Sequence, residues 1–196
     1  MIKSYYKSVK DLFKTYPFFL DVLIFALLIV GFHLFFRAWA YWWHFWPIHD
    51  LITVLRDWLS DHVFSQSLWF NEHVLGYNIT VYERDMIFPG RGHILINHGC
   101  SGFKQIMQFV FLMLVFPGPW KHKSWFIPLG IIVVHLTNLF RVVGLSVVLM
   151  NWPNYWDFSH DNLFRPFFYF VMFLMWVWWV EKFRNRKKQQ VEPVTD

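Results

Sequence analysis

The chain is poor in cysteine and in charge. Cys100 is the one cysteine in 196 residues, so an intrachain disulfide is excluded, and the thiol is either inert packing or a reactive group. Charged residues make up only 16% of the chain, whereas 56% of it is hydrophobic and 23% aromatic. That much apolar surface cannot be buried in a soluble domain of this size. Composition therefore predicts a polytopic membrane protein.

The predicted fold is a single all-α membrane domain with about four transmembrane helices. Four apolar runs are long enough, or nearly so, to cross about 30 Å of hydrocarbon. They are 18–36, 100–116, 125–150 and 166–181. The second and the fourth are near the lower limit of about 17 residues. Aromatic clusters at 39–43 and 176–179 are typical of the headgroup belts of membrane proteins.

The positions of Lys and Arg predict the orientation. With four crossings, eleven of the eighteen basic residues fall on one side, within 3–14, 121–123 and 182–188. Basic residues favour the cytoplasmic side, so both termini are predicted to be cytoplasmic, in an integral cytoplasmic-membrane protein. The stretches 37–99 and 151–165 then face outward. The first run also resembles a cleavable signal peptide, but it is longer than a typical apolar core of one, which favours an uncleaved span.

The outward segment 37–99 is too polar to cross a membrane and too long for a plain loop. Apolar residues at helical spacing form one stripe in it, which predicts a helix over 48–64 lying in the membrane interface. The stripe consists of Ile48, Ile52, Leu55, Leu59 and Val63. Farther along, 79–82 and 94–96 are β-like and flank a Pro-Gly turn, which predicts a short β-hairpin before Cys100. The tail 189–196 is predicted to be disordered.

Cys100 lies in the segment 97–102, whose sequence is NHGCSG, at the start of the second apolar run. A helix N-terminus offers unpaired N–H groups and the positive end of the helix dipole, which favour thiolate over thiol. Gly99 and Gly102 allow a substrate backbone to approach without obstruction by side chains. The alternative is a small turn entering a membrane helix, with the cysteine as packing.

Arg141 lies inside the third apolar run. An arginine in a membrane helix is costly, and such residues usually face a cavity and have a function. At about 1.5 Å per residue, Arg141 is ~24 Å from Trp125 and so near the outer end of the run. Asn138 is three residues earlier on the same helix face, and the two side chains are candidate donors to an oxyanion. The alternative is an arginine that reaches the outer headgroups.

His160 lies in the predicted outward stretch 151–165, between two spans. It is the type of group that takes a proton from a thiol and returns it to a leaving amine. The alternative is a solvated loop histidine, and the chain has ten histidines. Asp161 is adjacent, but neighbours in sequence need not face each other, so it is not predicted to orient the imidazole. Together, Cys100, Arg141 and His160 reach one membrane face from three segments, which predicts an acyl-transfer site.

Three short elements, taken in order, resemble the exosortase/archaeosortase family of membrane sorting enzymes. The elements are Cys-Ser-Gly-Phe at 100–103, Asn-Leu-Phe-Arg at 138–141, and His160. In that family a Cys-Ser-Gly element opens one span, an Asn-x-x-Arg element lies in the next, and a His follows. The resemblance covers about 75–185 and corresponds to a short form. Gly99 replaces the common alanine, and Lys104 adds a charge that the motif does not require.

The resemblance implies a cysteine transpeptidase or peptidase acting outside the membrane. Its substrates are exported proteins with a C-terminal recognition motif, a transmembrane helix and a basic end. Cys100 forms a thioester acyl-enzyme, Arg141 stabilises the oxyanion and His160 is the general base and acid. Asn138, Ser101 and Gly102 support the substrate and the oxyanion. An acceptor lipid or glycan, or water, resolves the thioester, and no metal, organic cofactor or nucleic acid is required.

Other interpretations of the same residues remain. The segment 99–102 also fits the Gly-x-Ser-Gly pattern of rhomboid proteases with Ser101 as nucleophile, although rhomboids need six spans. His33 and His135 lie in predicted spans and are candidate ligands of a haem held between helices. A membrane assembly factor without catalysis is a third alternative.

Overall fold

The computed structural model describes residues 17–42 and 49–184. Its main helices are α1 (Pro17–Trp42), α2 (His49–His73), α3 (Phe103–Val115), α4 (Trp120–Asn151) and α5 (Arg165–Trp179). The chain stays helical from α4 to α5 through a 3₁₀ turn (Pro153–Tyr155), one α-turn (Trp156–Phe158) and a π-helical stretch (Ser159–Phe164). A second π-helical stretch, Val180–Arg184, follows α5. The predicted disordered tail and the basic residues at 3–14 lie outside the described residues.

Three helical stretches in the described part of the chain are long and apolar enough to cross a membrane. They are Leu20–Trp39, Trp120–Asn151 and Pro153–Phe183. The predicted span at 100–116 is the shorter helix α3, whose 13 residues extend for only about 20 Å. It begins at Phe103 because residues 97–102 form turns. The protein thus has three candidate spans and one shorter apolar helix, and a count of four spans is not confirmed.

The interpretation of 151–165 as a loop is wrong. Helical structure starts at Pro153, so His160 lies in the π-helical stretch that leads directly into α5. The polar run 159–162 resembles a loop in the sequence, but Ser159 and Phe164, the two ends of the π-helical stretch, are buried against the rest of the protein. This packing keeps the segment helical. Single π-helical turns occur frequently at functional sites.

The apolar helices enclose a core that we call the bundle core. Helices α3 and α4 run antiparallel, and Gly130 of α4 lies so close to the ring of Phe109 that a Cβ there would overlap it. Lys123 Nζ donates to the carbonyls of Leu114 and Phe116 (3.0 and 2.8 Å), which satisfies acceptors at the end of α3. The bundle core consists of Phe109, Leu112, Met113, Phe116, Phe126, Val134, Phe168, Met172, Met175, Trp176, Trp179 and Val180.

Two of the predicted belt residues belong to this core. Trp176 and Trp179 are fully buried, and Phe126 packs against Trp179 with 5.0 Å between ring centroids. Trp178, on the other side of the helix, is exposed. The cluster at 176–179 therefore combines core packing with an outward-facing ring.

The β-structure is a three-stranded antiparallel sheet with strand order β1-β2-β3. Its strands are β1 (Thr80–Tyr82), β2 (Asp85–Phe88) and β3 (Gly92–Leu95). The predicted pairing of 79–82 with 94–96 is wrong, because β2 lies between these strands and pairs with both. The turn from β1 to β2 has no glycine or proline to mark it. Glu83 instead adopts the left-handed backbone there, with φ 51°.

The sheet, α2 and the last turns of α4 form a second core, the sheet-lobe core. It contains Val63, Met86, Phe88, Ile94, Ile96, Val142, Leu145, Leu149 and Phe164. Asn71 of α2 donates to Ser146 Oγ of α4 (3.0 Å) beside this core. Helix α4 therefore contributes to both cores, with its first part in the bundle and its last part in the sheet lobe. The side chains between these parts lie at the boundary of the two cores.

Helix α2 is longer than predicted and its stripe is only partly buried. Ile52, Leu59 and Val63 face inward, Leu55 is exposed, and Ile48 lies outside the described residues. Two ion pairs join α2 to the sheet: Arg84 donates to Asp57 (2.8 Å) and Asp61 (2.6 Å). The hydrogen bond from Arg84 holds the pKa of Asp57 below its usual value. The interfacial location of α2 stays a prediction.

The contact between α3 and α4 predicts a cost for any side chain at Gly130. Gly130→Ala should lower the free energy of unfolding by about 1–3 kcal/mol, because the new Cβ forces Phe109 to move within a packed core. Thermal unfolding of the purified protein in detergent measures this effect. Gly31→Ala is the matched control, since a Cβ at Gly31 in α1 has no neighbour within 4 Å. Equal unfolding temperatures for the two variants would contradict the packing.

Candidate active site

The cysteine sits in a turn built by Asn97. Asn97 Oδ1 accepts hydrogen bonds from the backbone N–H of Gly99 (2.8 Å) and of Cys100 (3.2 Å). The Cys100 N–H also donates to the Asn97 carbonyl (2.9 Å). An asparagine that bonds the backbone two residues ahead stabilises a tight turn. Cys100 thus precedes helix α3 by three residues, instead of opening it, and its side chain is only partly buried.

Asn138 of α4 fastens this turn to the bundle. Its Nδ2 donates to the Cys100 carbonyl at 2.7 Å, and the side chain is fully buried. Gly102 makes the close approach possible, because a Cβ there would lie 3.1 Å from Asn138 Cγ and Nδ2. Gly102 also has φ 79°, a conformation that costs an L-residue energy, and it caps α3. One amide donor of Asn138 therefore positions the cysteine turn.

Arg141 lies one turn farther along α4, at the boundary of the two cores. Only 7% of it is exposed. Its Nη2 donates to His160 Nε2 at 2.9 Å, and its Nε is buried with no hydrogen-bond partner among the described residues. The guanidinium is also close enough to Cys100 to attract a thiolate there. Arg141 is therefore the side chain that links the cysteine turn to the histidine.

His160 is held from its other side by Asp161. The His160 Nδ1 and Asp161 Oδ1 atoms are 2.7 Å apart, and Asp161 also pairs with Arg165 (3.2 Å). A carboxylate accepts hydrogen bonds, so Nδ1 carries the proton. Nε2 then has the lone pair that accepts from Arg141. The contacts on both nitrogens thus define one tautomer of the neutral imidazole.

A polar cavity of about 340 Å³ opens beside these residues. Gly99 and Arg141 line one side of it, and the ends of α1, α3 and α5 supply the rest. The other lining residues are His33, Lys104, Gln105, Arg165, Phe168 and Tyr169. The cavity gives a ligand direct access to the guanidinium of Arg141 and to the backbone next to Cys100.

A thiol and an oriented imidazole on either side of a buried guanidinium that lines an open cavity can carry out acyl transfer. The sequence matches the model of the transmembrane exosortase family (Exosortase_EpsH) over residues 5–179. The chain belongs to the exosortase family. Comparison with curated proteins and with solved structures returned no match.

Exosortases are membrane peptidases or transpeptidases that process the C-terminal sorting signals of exported proteins. Family membership and the three candidate spans make this protein an integral membrane protein. In this exosortase the three residues singled out in the sequence are brought together around Arg141. No hydrogen bond joins Cys100 to His160 within the described part of the chain, because Arg141 lies between them.

Other residues singled out in the sequence have separate places in the exosortase structure. Ser101 is buried, and its hydroxyl donates to the His98 carbonyl (2.8 Å) and accepts from the Phe103 N–H (3.3 Å). His33 accepts a hydrogen bond from Lys104 (2.9 Å) beside the polar cavity.

His135 lies elsewhere. It bonds Gln66 Oε1 (2.7 Å) and lines an apolar cavity of about 400 Å³ between α2, α3 and α4. The two histidines therefore line different cavities and have different hydrogen-bond partners.

Sequence reasoning missed Asp161, Asn97 and most of the cavity lining. The adjacency of Asp161 to His160 was visible, but only the π-helical backbone determines that the two side chains meet. Asn97 was visible as the start of NHGCSG, a typical turn residue. Lys104 was noticed as a charge that the motif does not require. Arg165 lies across the cavity from Lys104 but in a distant segment, and nothing in the sequence indicates that the two residues line the same cavity.

The geometry predicts that Arg141 makes Cys100 more nucleophilic. Arg141→Gln removes the positive charge that faces Cys100, so alkylation of the single cysteine by N-ethylmaleimide, which passes through an anionic sulfur, should slow. Mass spectrometry of the intact protein follows the reaction.

Arg91→Gln is the control, since Arg91 lies in the exposed turn between β2 and β3. An unchanged neutral-pH rate in Arg141→Gln would show that the guanidinium does not act on the thiol.

Proposed function

We propose that this exosortase is a cysteine transpeptidase or peptidase that cleaves C-terminal sorting signals through a thioester on Cys100. One observation carries the proposal: buried Arg141 donates to His160 and lies within electrostatic range of the one cysteine in the chain. A buried arginine with no carboxylate partner among the described residues is costly, and a role in catalysis accounts for it. The substrates are exported proteins with a recognition motif, a transmembrane helix and a basic end.

In the acylation step, Cys100 Sγ transfers its proton to His160 Nε2 and attacks the carbonyl carbon of the scissile peptide. The oxygen of the tetrahedral intermediate becomes an anion, and Arg141 stabilises it by hydrogen bonding and charge. The C–N bond then breaks as His160 Nε2 gives the proton to the leaving nitrogen. The products are a thioester at Cys100 and a free amine on the released helix.

In the second step, an acceptor amine, an acceptor hydroxyl or water attacks the thioester carbon. His160 Nε2 accepts the proton of the nucleophile, and the C–S bond breaks to release the thiolate. A lipid or glycan acceptor completes a transfer, and water completes a hydrolysis. No metal or organic cofactor takes part in either step.

Arg141 changes partner during this cycle. In the substrate-free site its N–H occupies the lone pair of His160 Nε2, so the histidine cannot accept a proton there. A substrate carbonyl in the cavity attracts the guanidinium and frees Nε2. The thiol is then deprotonated only when substrate is bound, while Asp161 retains the imidazole through Nδ1.

The proposed orientation puts both termini in the cytoplasm and the site on the outer face. Lys121, Lys123 and Lys182 lie at the end of the bundle opposite to the site, which supports this orientation by the positive-inside rule. Exported substrates would then meet Cys100 after translocation.

The rhomboid-like alternative uses Ser101 as the nucleophile. The Ser101 hydroxyl is buried and bonded both to His98 and to the Phe103 N–H. A hydroxyl that holds the start of a helix is not free to attack a substrate, which favours Cys100.

Processing of a substrate in cells tests the proposed roles. The substrate is an exported protein from the same genome whose C-terminus has the motif, helix and basic end. Cys100→Ala, Arg141→Ala and His160→Ala should each abolish the mature product, because each removes a reacting or charge-stabilising group. Immunoblots that separate precursor from mature protein measure the outcome.

Arg91→Ala and His73→Ala are the matched controls, since both residues are exposed and lie away from the cavity. They should process the substrate as the wild type does. Ser101→Ala should retain part of the activity, because it weakens the start of α3 but leaves the thiol. Mature product in cells with Cys100→Ala would eliminate the thiol as nucleophile.

Asp161 is proposed as the positioning residue of His160. Asp161→Asn should lower kcat by about 10- to 100-fold and leave KM nearly unchanged, because the imidazole loses its orientation while the cavity is intact. Asp161→Glu should restore part of kcat. Steady-state kinetics on a peptide with the sorting motif provide the measurement. A change confined to KM, or a kcat of Asp161→Glu no higher than that of Asp161→Asn, would show that Asp161 has only a structural role.

A further inference from the structure

The polar cavity has an excess of positive charge. Lys104, Arg141 and Arg165 line it, and none of its lining residues is acidic. Arg165 pairs with Asp161 just outside the lining, at 3.2 Å. Among the described residues, Lys104 and Arg141 have no carboxylate within 4.0 Å. The lining therefore carries an excess of positive charge that favours an anionic ligand.

Catalysis accounts for Arg141 but not for Lys104. Arg141 donates to His160 and faces Cys100. Lys104 donates only to the neutral acceptor His33 Nδ1, at 2.9 Å, and lies over the ring of Phe36. Gln105 adds a buried carbonyl oxygen, Oε1, with no partner among the described residues. The lining thus offers positive charges that can bind an anion. It also offers the Gln105 oxygen, which can accept a hydrogen bond from a donor group on the same ligand.

The level of the cavity matches the membrane surface. Arg141 lies 21 residues beyond Trp120, or ~32 Å along α4, which is about the thickness of the hydrocarbon layer. Helices α1 and α5 contact each other deeper in the bundle, where the rings of Phe25 and Phe173 are 5.5 Å apart. Farther out, two turns along α1 and one turn along α5, the cavity replaces that contact between His33 and Tyr169.

The surface beneath the cavity is apolar. Val30 and Leu34 of α1 and Phe170 and Leu174 of α5 are exposed large hydrophobic residues. Such a surface can contact the acyl chains of a lipid. The basic cavity above it can then hold the phosphate that links those chains to the headgroup. A phosphate diester is the anion always present at that level of a membrane.

We propose that the cavity lined by Lys104, Gln105 and Arg165 binds the phosphate of a membrane lipid headgroup beside the active site. Lys104 and Arg165 bind the phosphate oxygens, and Gln105 Oε1 accepts a hydrogen bond from a headgroup hydroxyl or ammonium. The acyl chains extend over the exposed residues of α1 and α5. Binding does not depend on the sorting reaction.

Native mass spectrometry of the full-length protein in detergent tests the proposal. The probes are phosphatidylglycerol and diacylglycerol with the same acyl chains. Phosphatidylglycerol should bind at one site at least about tenfold more tightly than diacylglycerol, since each charge-assisted hydrogen bond contributes on that scale. Lys104→Gln combined with Arg165→Gln should remove that preference, whereas Lys104→Arg alone should keep it.

The controls are Arg91→Gln and Lys182→Gln, two cations outside the cavity, which should bind the lipid as the wild type does. Equal binding of diacylglycerol, or an unchanged preference in the double variant, would overturn the proposal. Cys100→Ala should still bind phosphatidylglycerol, so a failure of the sorting mechanism leaves this measurement intact.

Two further probes separate the sources of the anion. Inorganic phosphate that binds the cavity as tightly as phosphatidylglycerol would show a free-phosphate site, and would overturn the lipid proposal. A soluble oligoglutamate peptide that binds more tightly than the lipid, and is lost in the double variant, would assign the cavity to polypeptide carboxylates. Weak competition by both probes supports the lipid headgroup.

Discussion

The burial of one guanidinium determines how the rest of this exosortase is arranged. Arg141 lies where helix α4 passes from the bundle core to the sheet-lobe core, and only 7% of it is exposed. A charge in such a place needs partners that the apolar cores cannot supply. Its partners come from two other segments, His160 from the stretch before α5 and Cys100 from the turn before α3. The position of the charge thus brings together the two groups that an acyl transfer requires.

The two cores hold those segments in register. The cysteine turn is fixed to α4 by Asn138, and the glycine at 102 leaves room for the Asn138 side chain to approach the turn. The histidine segment is anchored because Phe164 is buried in the sheet-lobe core. A small sheet therefore supports the proposed site without supplying a reacting group, because it packs against the last turns of α4. The same arrangement leaves a basic cavity open between α1 and α5, with Phe168 of the bundle core in its wall.

The order of the proposed reacting residues is visible in the sequence, but their contacts are not. A lone cysteine and an arginine in an apolar run are visible without a structure, because each is costly or rare in its place. The contact between His160 and Asp161 depends on a π-helical backbone. The polar residues at 159–162 indicate a loop in the sequence, so this backbone could not be predicted. Strand β2 was missed because Glu83 makes a turn without the usual residues. The predicted length of helix α3 was too great, because apolar composition does not show where the turns at 97–102 end and the helix begins.

The most direct test of this account is capture of the acyl-enzyme. Wild-type protein is incubated with a sorting-signal peptide labelled on the N-terminal side of the cleavage site and quenched in acid. Peptide mapping then locates any covalent adduct. The account predicts an adduct on Cys100 that hydroxylamine releases, and none on Cys100→Ala protein. An adduct on Ser101, or a labelled enzyme whose bond resists hydroxylamine, would contradict a thioester mechanism at the thiol beside Arg141.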